Sequence, residues 1–220
     1  TGAVTVTGGA TTLKDANDLT VTLATSGTTA LTAVGTLTVD GVVSGATSDL
    51  TTTAAATSFG ATTVGQNLSV TASGTVSDTA KLAVTGTTAI SATGQTVELD
   101  TATNDFTGAV TVTGGATTLK DANSLTVSLT TSGSTALTAG GDLTVDGIVS
   151  EATSDLTTVA ATTSFGATTV GQDLSVTATG AVIDTGKLAV TGTTGISAAG
   201  QTVTLDDAAN DFTGAVTVTG

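Results

Sequence analysis

The chain has 220 residues, of which 59 are Thr and 28 Gly, and it contains no Pro, Cys, His, Arg, Met, Trp or Tyr. Eighteen acids against four lysines leave a net charge of −14, so the cationic surface on which nucleic-acid affinity depends is missing. A mean hydropathy of +0.40 is too high for a disordered tract, there is no Gly-x-y period for a collagen, and without Cys neither disulfides nor thiolate metal sites can form. No stretch approaches the ~18 apolar residues of a membrane helix, and Thr1 opens without a basic then apolar leader.

Taken in chain order, the segments alternate with a period of two. The run from Gly2 to Gly8 places Val4 and Val6 on one face and Thr5 and Thr7 on the other. After a KDAN turn, Leu19, Val21 and Leu23 oppose Thr20 and Thr22; further on, Leu68, Val70 and Ala72 oppose Ser69 and Thr71. Such alternation in β-branched residues predicts half-buried strands. Helix is disfavoured by the Gly, Thr and Val content. Clusters of Gly, Asn, Asp and Ser between the runs predict turns.

The motif TGAVTVTGGATTLKDAN begins at Thr1, recurs at Thr107 and starts again at Thr213. The period is therefore 106 residues: copy one is 1–106, copy two 107–212, and 213–220 opens a third. Twenty positions differ between the two copies, mostly small for small or apolar for apolar, as in Val42 with Ile148 and Ala89 with Gly195. The segment reads as a window on a longer array. Cutting the period at Phe59, Lys81, Phe106, Leu125 and Leu143 predicts five coils of about 21 residues, varying from 18 to 25. Short strands, tight turns, a narrow aliphatic interior and no Pro to break a ladder predict an all-β, right-handed parallel β-solenoid, one continuous rod. Stacking at ~4.8 Å predicts a rise of about 24 Å per repeat.

The run from VGQNLSVTASG to NDFTGAVTVTG, and its second copy beginning VGQDLSVTATG, resemble the β-strand repeats of giant secreted bacterial surface proteins of the filamentous haemagglutinin-like kind. The order of a GNLTVTA-type strand, an SG turn, an ALTVTGTT strand, an ITLD strand and an NDF-GAVTVTG strand is kept. The resemblance implies an exported fibre at the cell surface or outside the cell, acting in adhesion or cell-to-cell contact. Its implied partners are other copies of itself and cell-surface or matrix components, with no cofactor, no nucleic acid and no insertion into a membrane. A second reading is a subunit that joins end to end into a filament.

The candidates for chemistry are few. GATTVGQ at Gly60–Gln66 and Gly166–Gln172 has the Gly spacing of a phosphate loop, but Gln stands where its Lys belongs; a turn between strands is expected instead. Glu98 with Asp100, and Asp206 with Asp207, are carboxylate pairs, yet Glu98 is Thr204 in the other copy. Without His, Cys or Arg no ordinary acid–base or nucleophile pair assembles, and no enzyme is expected. Asp15 and Asp18, and Asp100, Asn104 and Asp105, put oxygen ligands in turns as calcium prefers, but Asp18 becomes Ser124 and solvated turn carboxylates are the expectation. Carboxylates spread along the rod would oppose its lateral clumping. Outward pairs such as Thr20 and Thr22 resemble ice-binding Thr arrays, against which the unequal coil lengths argue. Asn67 heads a glycosylation sequon that Asp173 removes in copy two.

Overall fold

The structure, a computed structural model, describes residues 2–220; Thr1, the first residue of copy one, lies outside the described residues. The first repeat forms β1 (Ala3–Gly8), β2 (Thr11–Asp15), β3 (Leu19–Thr25), β4 (Thr29–Ala33), β5 (Thr36–Val43), β6 (Leu50–Ala54), β7 (Ala56–Val64), β8 (Leu68–Ala72), β9 (Val76–Asp78), β10 (Leu82–Val84), β11 (Thr88–Ser91), β12 (Val97–Leu99) and β13 (Asp105–Phe106). The second forms β14 (Val110–Gly114), β15 (Thr117–Asp121), β16 (Leu125–Thr131), β17 (Thr135–Ala139), β18 (Leu143–Val149), β19 (Leu156–Ala160), β20 (Thr163–Val170), β21 (Leu174–Ala178), β22 (Val182–Asp184), β23 (Leu188–Val190), β24 (Thr194–Ser197), β25 (Val203–Thr204) and β26 (Asp211–Phe212). β27 (Val216–Thr219) opens the third copy.

These strands form two sheets, of 14 and 13 strands. The chain passes from one sheet to the other between most successive strands, although β9 and β10, and β12 and β13, stay on the first sheet and β22 and β23, and β25 and β26, on the second. Pairing is parallel throughout, and most strands pair with one strand a coil below and one a coil above. The inward residues make a single core between the sheets, mostly aliphatic, in which Phe59, Phe106 and Phe165 are fully buried and inward threonines such as Thr52 and Thr88 are set among the Val and Leu. Strand β3 shows the pattern in its simplest form: Leu19, Val21, Leu23 and Thr25 are buried while Thr20, Thr22 and Ala24 are exposed. The chain is a parallel β-solenoid, as the alternation predicts.

The coil count differs from the expected five per repeat. On the first sheet the register runs from Ala3 to Thr20, Thr38, Ser58, Ser77, Glu98, Thr118, Ala136, Thr157, Ser175, Gly195 and Thr217. That is eleven turns, of 17 to 22 residues each, over two repeats. One repeat therefore spans five and a half turns, near 19 residues apiece, and rises about 26 Å. The cut between Phe106 and Leu125 hid the half turn, because β13 belongs to one sheet and β16 to the other. As a result β3 lies on the first sheet and its equivalent β16 on the second; β8 and its equivalent β21 exchange in the opposite sense. A given side of the rod repeats chemically only after two copies.

The largest irregularity recurs in both copies. Val39 pairs with Phe59 and Gly41 with Thr62, so Gly60 and Ala61 together oppose Asp40, a β-bulge. Gly41 has φ of +103°, and a Cβ there would lie 2.1 Å from the carbonyl oxygen of Leu23; only Gly fits. Its equivalent Gly147 has φ of +109° and the same approach to Leu129. The buried hydroxyl of Thr62 donates to the Val39 carbonyl at 2.9 Å, and that of Thr168 to Val145 at 3.1 Å. The carbonyl that the bulge removes from the ladder is thus satisfied from within.

Candidate functional site

Two features outside the aliphatic core combine chemistry with repetition: a ladder of Asp and Asn at the corners of the coils, and the outward hydroxyls of the sheets.

The corner ladder begins where a turn carries a backbone N–H away from the carbonyls of the next coil. A side-chain oxygen one coil away then receives that N–H. Asp18 Oδ1 accepts from the Thr36 amide at 2.7 Å, and Asp49 Oδ1 from the Asn67 amide at 3.1 Å. Asn67 Oδ1 accepts from the amide and the hydroxyl of Thr87, both at 2.9 Å. Copy two keeps the acceptor and changes the residue. Ser124, in place of Asp18, accepts from the Asp142 amide at 3.0 Å; Asp173, in place of Asn67, accepts from Thr193 at 2.6 Å and 2.9 Å. What the position requires is an oxygen lone pair, which Asp, Asn and Ser all supply. The formal sequon at Asn67 sits in this role.

The most buried rung pairs Asp78 with Asn104. Asn104 is fully buried; its Oδ1 accepts from the Leu82 amide at 2.8 Å and its Nδ2 donates to Asp78 Oδ2, while Asp78 Oδ1 accepts from the Asp100 amide at 3.1 Å. Copy two repeats it: Asn210 Oδ1 accepts from the Leu188 amide at 2.7 Å and its Nδ2 donates to Asp184. Above this rung, Asp121 accepts from the Phe106 amide at 2.9 Å and the Asn123 amide at 2.7 Å. Burial pushes the Asp121 carboxyl above its ordinary range, opposed by those two amides; the Asp105 charge adds to the rise and Lys81 works against it.

The sequence candidates for calcium separate in this geometry. Asp15 Oδ1 accepts from the Asn17 amide within its own turn, and Asp18 turns to Thr36. Of the LDTATND acids and amide, Asn104 points inward to Asp78, Asp105 pairs with Lys81 at 3.4 Å and Asn123 at 3.1 Å, and Asp100 faces Lys120 at 3.9 Å. Among the described residues no three acids gather where an ion could be held. Glu98 is exposed on β12, and the amides of Asp206 and Asp207 both donate to Asp184. GATTVGQ is mainly strand rather than the expected turn: Gly60 through Val64 belong to β7, and only Gly65 and Gln66 turn. The amides of Thr62 and Gly65 donate to Lys81 and Val43, so the segment cannot cradle a phosphate.

Missing from the sequence reading were Asp78, Asp184 and Asp121. Their signal was available: Asp78 and Asn104 stand 26 residues apart, unchanged as Asp184 and Asn210 in copy two.

The outward hydroxyls align more closely than unequal coil lengths suggest. On the second sheet Thr53, Thr71, Ser91, Thr113 and Thr130 stack in register on consecutive strands. Beside them Thr51, Ser69, Ala89, Thr111 and Ser128 form a second column. Differences in coil length are absorbed in the turns, so they do not disturb the columns. In copy two the equivalent columns lie on the first sheet, where Gly195 in place of Ala89 leaves a shallow depression of about 260 Å³ between Ser175, Thr177, Ser197 and Thr217.

Parallel coils, one continuous core and a repeated corner ladder define the class: a tandem-repeat β-solenoid. The chain belongs to the family described as repeats of unknown function, DUF5649, whose model matches residues 47–113 and 151–219. Each match lies within one copy of the period apart from the few residues that cross into the next. No curated protein and no solved structure matches the chain.

Proposed function

We propose that this chain is a structural segment of a long, repetitive extracellular fibre or surface adhesin, of the filamentous haemagglutinin-like kind, that mediates contact between cells or between a cell and a surface. The observation that supports this most is the junction between copies. β14 pairs with β11 below and β16 above, and β15 with β12 and β17, in the same parallel register as strands inside a copy. Nothing at residues 106 and 107 ends the rod, so length grows with copy number while each coil needs only its neighbours. The role is mechanical rather than catalytic: reach and stiffness come from stacking.

Electron microscopy of the native material tests the reading. An unbroken rod with ~4.8 Å layers running through many copies supports a single-chain fibre. Regular breaks at chain ends would instead favour a subunit that polymerises end to end, and a compact particle would refute both.

A further inference from the structure

The charges are not spread evenly around the rod. On the second sheet, the outward residues from β4 through β16 are Ala, Thr and Ser only. The same length of the first sheet presents Asp40, Glu98, Asp105 and Lys120. Copy two reverses the arrangement: β17 through β27 on the first sheet are uncharged outward, while Asp146 and Asp211 lie on the second. The remaining acids sit at the corners. The half turn in the repeat is the cause, since it delivers the same sequence to opposite sides in successive copies.

We propose that these uncharged hydroxyl faces are lateral docking surfaces for a second copy of this chain, and that their alternation lets each rod engage a neighbour on both sides. In a chain of net charge −14, the uncharged face is the side on which two rods approach without bringing carboxylates together. It is also self-complementary: a neighbour shifted by one repeat, about 26 Å, presents its own uncharged face. Six strands at ~4.8 Å, each about 17 Å long, make a face of roughly 500 Å². Two such faces bury about 1,000 Å² in total, the lower edge of a specific interface, so attachment strengthens with every added repeat. Thr53, Thr71, Thr111 and Thr113 stand at its centre and supply hydroxyl donors and acceptors with their methyl groups.

The proposal rests on the rod of the preceding section, and the test separates the two. Sedimentation and negative-stain microscopy of the 220-residue chain are compared with the variant Thr53→Glu/Thr111→Glu, in which the uncharged face is charged. The control variant Thr5→Glu/Thr22→Glu charges exposed positions on the other sheet. Circular dichroism confirms that all three keep the solenoid. Expected are side-by-side pairs that rise several-fold between 20 and 500 mM salt, as screening of the corner carboxylates would require. Pairing should be lost in the first variant and kept in the control. Single rods at every concentration and salt, or pairs indifferent to Thr53 and Thr111, would overturn the proposal without touching the rod. Thermal hysteresis of ice growth, lost in the same variant while the rods stay single, would overturn it in favour of ice as the occupant. Loss of the rod itself would count against the fibre reading.

Discussion

Asn104, buried between two coils, donates its side-chain amide to Asp78, which lies 26 residues earlier and one turn away. The pair works because Asn is both acceptor and donor: one end receives Leu82 and the other satisfies a carboxylate that also holds the Asp100 amide.

Asn104→Asp removes that donor and places two carboxylates against each other. It should cost about 2–4 kcal/mol and speed hydrogen exchange at the Leu82 amide. Asn67→Asp, which reproduces what copy two already has, should change stability by less than about 0.5 kcal/mol. Equivalent losses at both positions, read from urea unfolding, would show that the ladder does not depend on a donor at the buried rung.

Six inward threonines have hydroxyls without a hydrogen-bond partner among the described residues: Thr52, Thr57 and Thr88, with their equivalents Thr158, Thr163 and Thr194. Each sits in a column of aliphatic residues, Thr52 between Leu31 and Val70 for example. Replacing any of them with Val keeps the shape and removes a desolvated hydroxyl. Each change should stabilise by about 1 kcal/mol, or roughly 2–4 °C in the melting midpoint for a chain of this size. Thr62→Val is the contrast, since its hydroxyl serves the bulge carbonyl; it should destabilise.

Facing is tested by a neighbouring pair. Val70 is buried and Thr71 exposed on the same strand. Val70→Asp buries an unpaired charge and should cost upwards of about 3 kcal/mol, whereas Thr71→Asp should alter the melting midpoint little. Equal shifts would mean that the assigned faces are wrong.

Asp121 gives a pH dependence of definite sign. Its folded value is raised above the ordinary 3.8, chiefly by burial, so between these two values the folded chain holds a proton that the unfolded chain has released. Stability from this group is therefore full at low pH and is lost as pH rises through the folded value. Against an Asp121→Asn chain, which lacks this titration, the native chain should gain relative stability on acidification. A difference curve that is flat, or slopes the other way, would contradict the burial-driven shift.

Much of this was legible beforehand. Val4, Val21 and Val70 announce their facing by alternation, the recurrence at Thr107 announces the period, and the poverty of charge and aromatics points to a narrow stacked core. The ladder was less legible, because Asp78 and Asn104 meet only when a coil closes; turn-rich acids looked solvated when read one turn at a time. The Thr columns were less legible for a related reason: coil lengths of 18 to 25 read from the sequence suggest irregularity, whereas the turns of the structure run from 17 to 22 residues and their excess lies in the corners.

The strand character, the inward and outward sides of each strand and the 106-residue period follow from the order of residues alone, since side chains alternate along any extended backbone whatever it pairs with. Which sheet each strand joins does not follow. It depends on how many residues each corner consumes, a property of stacked coils summed over the whole repeat, and it is this sum that leaves half a turn over and turns successive copies to opposite sides of the rod.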